Sequence, residues 1–266
     1  MAERDDLLLG ADMGGTRFRA ALVDGRSEIV WRAEQPAGDV GDSEALVAAM
    51  TGLLGQGLAR AGTSLRAAGV AVAGPLDPVR GVMFRPPNLP GLAGLPLASL
   101  LGKALDRPVF LENDANAAAW GEFACGAARD ASSMVLLTLG TGVGGGIVLD
   151  GRLLRGARGC AAELGHMVVN PAGPLCNCGA RGCLEMYASS TAVLAAWRAA
   201  VVSGRATEPE DGGVEDTEGL FRLAERGDAA ARAVFAEAGG FLGEALGSLA
   251  NALDIVLRER GRDGRQ

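Results

Sequence analysis

Residues 7–34 carry three short apolar runs, "LLLGAD", "FRAALVD" and "EIVWRAE", separated by the turns "MGGTR" and "GRS". Parallel neighbours need a crossover of a dozen or more residues, so strands joined this tightly predict an antiparallel meander. Beyond residue 40 the apolar period changes. "DSEALVAAMTGLLGQGLARAG" (42–62) has helical spacing between an Asp/Ser start and a Gly end. "AAGVAVAG" (67–74) reads as a buried strand, "PLASLLGKAL" (96–105) as a helix and "PVFLEND" (108–114) as another strand. A meander followed by alternating strands and helices predicts an α/β chain with a mixed sheet.

The pattern then begins again. "NAAAWGEFACG" (116–126) looks helical, "SMVLLTLGTG" (133–142) is a strand running into a glycine turn, and "GGIVLDG" (145–151) is a second strand. Two related α/β halves facing a cleft explain this echo. After residue 186 the chain reads as helical over 186–202 and 228–257, with the polar, acidic stretch 203–219 expected as a mobile surface loop. Aromatic residues are only 4% of the chain, so the core is expected from Ala, Val and Leu.

Charge narrows the function. The net charge is −7 and Lys/Arg blocks are absent, so the chain offers no basic face to displace counterions from nucleic-acid phosphates. "MAERDDLLLGADMGG" lacks the basic start and long apolar stretch of a secretory signal, and no run approaches the ~20 apolar residues of a membrane span. A soluble cytoplasmic protein without nucleic-acid or membrane partners is expected. Its cysteines are then metal ligands or free thiols rather than disulfides.

The single His of the chain, His166, and three of its five Cys fall within residues 165–187 as H-x9-C-x-C-x4-C. Imidazole and thiolate donors suit a tetrahedral Zn²⁺, and four protein ligands (His166, Cys176, Cys178, Cys183) describe a closed, structural site. Cys125 and Cys160 stand apart as small core residues. Glu163 and Glu185 flank the metal loop. Two carboxylates anchored on a rigid loop can accept hydrogen bonds from the hydroxyls of a polyhydroxylated ligand.

"DMGGTR" (12–17) and "GTGVGGG" (140–146) each follow an apolar strand. Backbone N–H groups in such turns make anion nests that phosphates can approach closely. Each is equally a plain hairpin when taken singly; together, with Asp12 and Thr16 available near a metal-bound phosphate, they point to ATP. Asp114 sits where a strand gives way to a helix. It reads evenly as an N-cap or as the general base that phosphoryl transfer to a hydroxyl requires.

These pieces in this order resemble the ROK family (repressors, open reading frames and kinases). The matching stretches are "DMGGTRFRAALVD", "VAGPLD", "PPNLPG", "LENDANAAAWGE", "TLGTGVGGGIVLDGRLLRGARG", "AAELGHMVV" and "CNCGARGCLEMYAS". The cysteine motif is similar to that of the family's bacterial glucokinases and N-acetylhexosamine kinases. The resemblance implies an actin-like (ribonuclease H-like) two-domain sugar kinase fold with a cleft between domains. The expected division is 1–113 and 114–266, with the zinc loop at 165–185.

It implies ATP-dependent phosphorylation of a hexose at the 6-hydroxyl, glucose first, with Mg²⁺ and structural Zn²⁺ as cofactors and Asp114 as base. Asn88, Asn113, Asp114, Glu163, His166 and Glu185 are then the sugar ligands. Asp12, Gly14, Gly15, Thr16, Gly140, Thr141 and Gly142 handle the nucleotide phosphates and Mg²⁺. His166 would turn one ring nitrogen to zinc and the other to the sugar. The family's kinases are commonly dimers, which admits a homodimer here.

Two departures stand out. Arg17 replaces the lysine usual after "GGT". The chain ends in "RERGRDGRQ" where the family continues into further elements, so the C-terminal domain is expected to be truncated or frame-shifted and incomplete. The alternatives are N-acetylmannosamine or N-acetylglucosamine kinase, or an inactive remnant that binds zinc and sugar. A ROK repressor is disfavoured because residues before the first strand leave no room for a helix-turn-helix.

Overall fold

The computed structural model describes residues 7–209 and 212–255. The expected meander is formed by β1 (Leu7–Met13), β2 (Arg17–Val23) and β3 (Ile29–Pro36), with β2 antiparallel to both neighbours. Helix α1 (Ser43–Ala61) follows, and its two ends fit the sequence. Asp42 caps it by accepting the Glu44 and Ala45 N–H groups, worth about 1 kcal/mol, and Gly62 closes it at φ 58°. β4 (Leu65–Val72), the small hairpin β5 (Leu76–Asp77) and β6 (Val82–Met83), α2 (Leu97–Leu105) and β7 (Val109–Asn113) complete the first sheet region. The sheet order is β3-β2-β1-β4-β7, with β1, β4 and β7 parallel.

One face of this sheet carries the core. Leu9, Met13, Phe18, Leu22, Val70 and Val72 alternate inward and meet Leu46, Met50, Leu53 and Leu54 of α1 and Leu97 and Leu101 of α2. Each such side chain, fully buried, contributes about 1.5–3 kcal/mol relative to exposure. The opposite parity, including Leu8 and Phe110, is exposed.

The chain continues through α3 (Asp114–Ala124), β8 (Met134–Leu139), β9 (Val143–Leu149) and β10 (Arg152–Leu153). β10 turns back antiparallel on the end of β9. Helices α4 (Glu185–Ala188), α5 (Ser190–Val202), α6 (Thr217–Glu225) and α7 (Ala229–Leu253) come last.

The expected single helix 186–202 is broken at Ser189. Its extended backbone and side-chain acceptance of the Ala192 N–H start α5 afresh. The expected helix over 228–257 ends at Leu253, because Asp254 takes the left-handed conformation, φ 53°. Of the loop expected over 203–219, the last residues already belong to α6, capped by Asp216, and part of that stretch lies outside the described residues. The charged ending, 258–266, also lies outside them.

Contacts divide the chain into two compact units, Met1–Ser132 with Gly146–Ala162, and Ser133–Gly145 with Glu163–Gln266. The division expected from sequence, between 113 and 114, falls inside the first unit at the junction of β7 and α3. The second unit packs Val193 and Trp197 of α5 against Leu220 of α6 and Val234 of α7, and separately Val143, Leu184 and Ala188 against Ala245. Among the described residues no helix is long and apolar enough to cross a membrane.

Candidate active site

In the first unit the three parallel strands bring their carboxyl ends to one edge of the sheet, where α/β sheets bind ligands. β1 ends in Asp12 and Met13 and turns through Gly14, Gly15 and Thr16. β4 leads into Gly74. β7 ends in Asn113 and runs directly into Asp114. Register puts Arg19, Asp12, Ala71 and Glu112 in one cross-strand row.

Asp12 is paired with Arg19 (Nη1 to Oδ2, 3.4 Å) at the surface, and Arg17 with Glu34 (2.8 Å). Exposed pairs of this kind are worth about 0–1 kcal/mol. Gly15 lies so near Asn88 that a Cβ there would sit 2.9 Å from its carbonyl oxygen and 3.0 Å from its Cβ. The glycine turn and the Asn88 loop are therefore in direct contact, and only a residue without a side chain fits between them.

Asn113, not Asp114, is the N-cap of α3. Its backbone is extended, φ −63° and ψ 145°, and its Oδ1 accepts the Asn116 N–H at 3.0 Å. This fixes the amide so that Nδ2 donates to Asp114 Oδ1 at 3.0 Å and to the Gly74 carbonyl at 3.4 Å. Asp114 is the first helical residue, and its Oδ1 also accepts the Ala115 N–H at 3.0 Å. Its side chain keeps an open face to solvent while protein surrounds the rest. That desolvation raises its pKa above the usual aspartate value, with the Asp12 carboxylate adding to the rise and the Ala115 N–H opposing it. A carboxylate so placed is a better proton acceptor than a free one.

In the second unit the candidate residues are gathered on loops. The turn Gly140–Gly142 between β8 and β9 is held by Ser190 N–H on the Gly140 carbonyl (2.8 Å) and by Thr191 Oγ1 on the Thr141 carbonyl (2.9 Å). Glu185 opens α4, and its Oε2 accepts the Val143 N–H at 3.0 Å. It approaches Gly142 so closely that a methyl group there would collide with it. The carboxylate expected to read a ligand thus also fastens the glycine turn. Glu163 is exposed, and its carbonyl accepts the His166 N–H (3.0 Å) across a single 3₁₀ turn.

His166, Cys176, Cys178 and Cys183 converge, their donor atoms all within 4.8 Å of one another. The loop between them closes on itself through Cys176 N–H to the Ala180 carbonyl and Gly182 N–H to the Pro174 carbonyl, both 2.8 Å. Gly182 is required there: φ is 69° and a side chain would overlap the Asn170 carbonyl. Cys176 Sγ lies 3.6 Å from His166 Nδ1 and Cys178 Sγ 3.5 Å from Cys183 Sγ. Bond lengths of about 2.0–2.3 Å to a central ion give donor separations of this size, so the four residues fit a tetrahedral cation.

Burial pushes the Cys183 thiol up to about 12, helped by the neighbouring sulfurs, while the Ala180 backbone N–H lowers Cys178. A cation is what lets such a cluster ionise together. The other two cysteines, expected in the core, are exposed: Cys125 lies just past α3 and Cys160 in the loop after β10. They lie at chain turns rather than on inward faces.

Two polar residues that carry no local sequence signal complete the first half. Glu112 on β7 is mostly buried and meets Arg155, just past β10, at 2.6 Å. Its other oxygen accepts the Asn113 N–H (3.1 Å) and the Asn116 amide (3.2 Å).

The antiparallel meander extended by parallel strands forms a mixed α/β sheet, and its likeness to solved ROK sugar kinase structures gives it the actin-like ATPase fold. The chain belongs to the ROK family, whose model matches residues 8–257. It is 38% identical over 228 residues to a glucokinase of Thermotoga maritima, covering 83% of this chain and 70% of that one. To an N-acetylmannosamine kinase of Citrobacter koseri it is 40% identical over 194 residues, covering 71% of this chain and 63% of that one. The crystal structure of a ROK family glucokinase from Streptomyces griseus with glucose and AMPPNP superposes with a TM-score of 0.77 at 33% identity. That match covers 93% of this chain and 80% of that one.

Proposed function

We propose that this chain is an ATP-dependent sugar kinase that phosphorylates a hexose at its 6-hydroxyl, glucose first. The observation that carries the reading is Asp114. Its carboxylate is held by Asn113 Nδ2 and the Ala115 N–H at the end of β7, and it is made more basic by partial burial. In the transfer it takes the proton of the sugar hydroxyl as that oxygen bonds to the γ-phosphorus and ADP leaves. Asn88, Asn113, Glu163, His166 and Glu185 are the residues assigned to the sugar hydroxyls.

The turns Gly14–Thr16 and Gly140–Gly142 would face the phosphates with the N–H groups that do not already donate within the turn, as those of Gly14 and Gly140 do, and Asp12 would hold Mg²⁺, which would supply charge neutralisation there. His166, Cys176, Cys178 and Cys183 hold Zn²⁺ as a structural ion. Nδ1 is the ring nitrogen turned to the sulfur cluster, which leaves Nε2 to read a hydroxyl. The setting is cytoplasmic, and the working form is a homodimer, as is common in the family.

The test is ADP release by the purified chain with Mg-ATP over glucose, N-acetylmannosamine and N-acetylglucosamine. Release stimulated most by glucose is expected. Stimulation by an N-acetylhexosamine alone would move the substrate to the chemistry of the Citrobacter relative. No stimulation from folded, zinc-loaded protein would leave a sugar-binding remnant.

A further inference from the structure

Glu112 is the least solvated carboxylate of the first unit's site, 16% exposed, and it makes three contacts at once. Arg155 Nε donates to Oε2 at 2.6 Å, while Oε1 accepts the Asn113 N–H at 3.1 Å and Asn116 Nδ2 at 3.2 Å. Because a carboxylate can only accept, it dictates which way the Asn116 amide points. The consequence is visible: Asn116 is 1% exposed and its Oδ1 has no hydrogen-bond partner. A buried amide left half-satisfied implies that the Glu112 contact outweighs that loss. Arg155 is itself anchored, its carbonyl accepting the Ala161 N–H (3.1 Å) in the loop that leads to Glu163.

We propose that Glu112 and Arg155 are a positioning pair for Asp114. The ion pair fixes the Glu112 carboxylate against Asn113 and Asn116, and so sets the first turn of α3 from which Asp114 projects. Neither residue touches a reacting atom. Without the pair, the Asn113 cap and the Asn113 Nδ2 to Asp114 hydrogen bond lose their common support. The catalytic consequence rests on the kinase reading; the structural link does not.

The test uses Arg155→Met and Arg155→Lys, because the Arg155 side chain is half exposed and its replacement leaves the core untouched. Two readouts are needed: amide hydrogen exchange at Asn113 and Asn116, and kcat with sugar KM. For Arg155→Met, exchange is expected to quicken about tenfold and kcat to fall about tenfold, with KM held within about twofold, the scale of a small misplacement of a reacting group. Arg155→Lys restores most of both, and it serves as the readable variant if Arg155→Met destabilises the chain.

Wild-type exchange in Arg155→Met overturns the pair. Faster exchange with unchanged kcat overturns its role in catalysis, as does a rise in KM alone. If the wild-type chain phosphorylates no sugar, the kinase reading fails by that fact, while exchange still decides whether the pair sets the helix start.

Discussion

The candidate residues of the two units are held by different physics. In the first unit, Asp12, Asn113 and Asp114 stand at the ends of parallel strands whose register is fixed by backbone hydrogen bonds over a continuous apolar core. In the second, Glu163 and His166 lie at a single 3₁₀ turn and Glu185 at the start of the short helix α4, and the loop between them is closed by a few backbone bonds and four candidate metal donors. The residues of the first unit are set by that ladder and core. In the second unit the four donors fit a cation, and under the proposed function the setting of the His166 ring depends on that ion.

The largest effect is expected from emptying the candidate cation site of His166, Cys176, Cys178 and Cys183. Chelation, or Cys183→Ser, should weaken sugar affinity by about 10–100-fold through the loosened His166 ring, while the first unit's amide protection stays unchanged. Titration calorimetry with sugar reads the effect, and an unchanged affinity in metal-free protein would separate the staple from the pocket. A smaller effect is expected from Gly15→Ala, which forces Asn88 away from the glycine turn. Sugar affinity should fall several-fold, on the order of 1 kcal/mol, with zinc content unaltered. Equal affinity would show that the contact is only tight packing.

The smallest effects are those of pH on Asp114. The base must be ionised, so kcat falls as pH drops through its pKa, and burial sets that acid limb higher than an ordinary aspartate would. An acid limb at the ordinary aspartate position would contradict the burial argument. Stability runs the other way. A pKa raised in the folded chain gives a contribution that is fully present below the unfolded value and lost as pH rises through the folded one. Asp114→Asn should accordingly melt slightly above wild type at neutral pH, with the advantage shrinking on acidification. A lower melting temperature at neutral pH would make Asp114 a stabilising residue instead.

Local signals carried much of the fold. Asp42 and Gly62 mark both ends of α1, alternation marks the strands, and the rarity of His and Cys exposes the metal donors. Where two residue types serve one role, local pattern stops short. Asn113 and Asp114 both suit an N-cap, and only the extended backbone of Asn113 assigns it. Ser189 likewise could lie within a helix or begin one. Contacts between distant segments leave no mark in the sequence: Glu112 meets Arg155 across 43 residues, and Gly15 meets the Asn88 carbonyl through tertiary packing. Glu112 lies inside the "LENDANAAAWGE" stretch, but a lone carboxylate on a strand has no pattern until its partner is seen.

Asp114 is proposed to act on the sugar's proton while other residues hold the sugar. The most direct test is to measure kcat and sugar Kd for Asp114→Asn beside wild type. The expected result is a fall in kcat of at least ~10²-fold, the scale of a lost general base, with Kd kept within about threefold. A kcat near wild type would reduce Asp114 to a structural residue at the start of α3, and the proposed mechanism would fall with it.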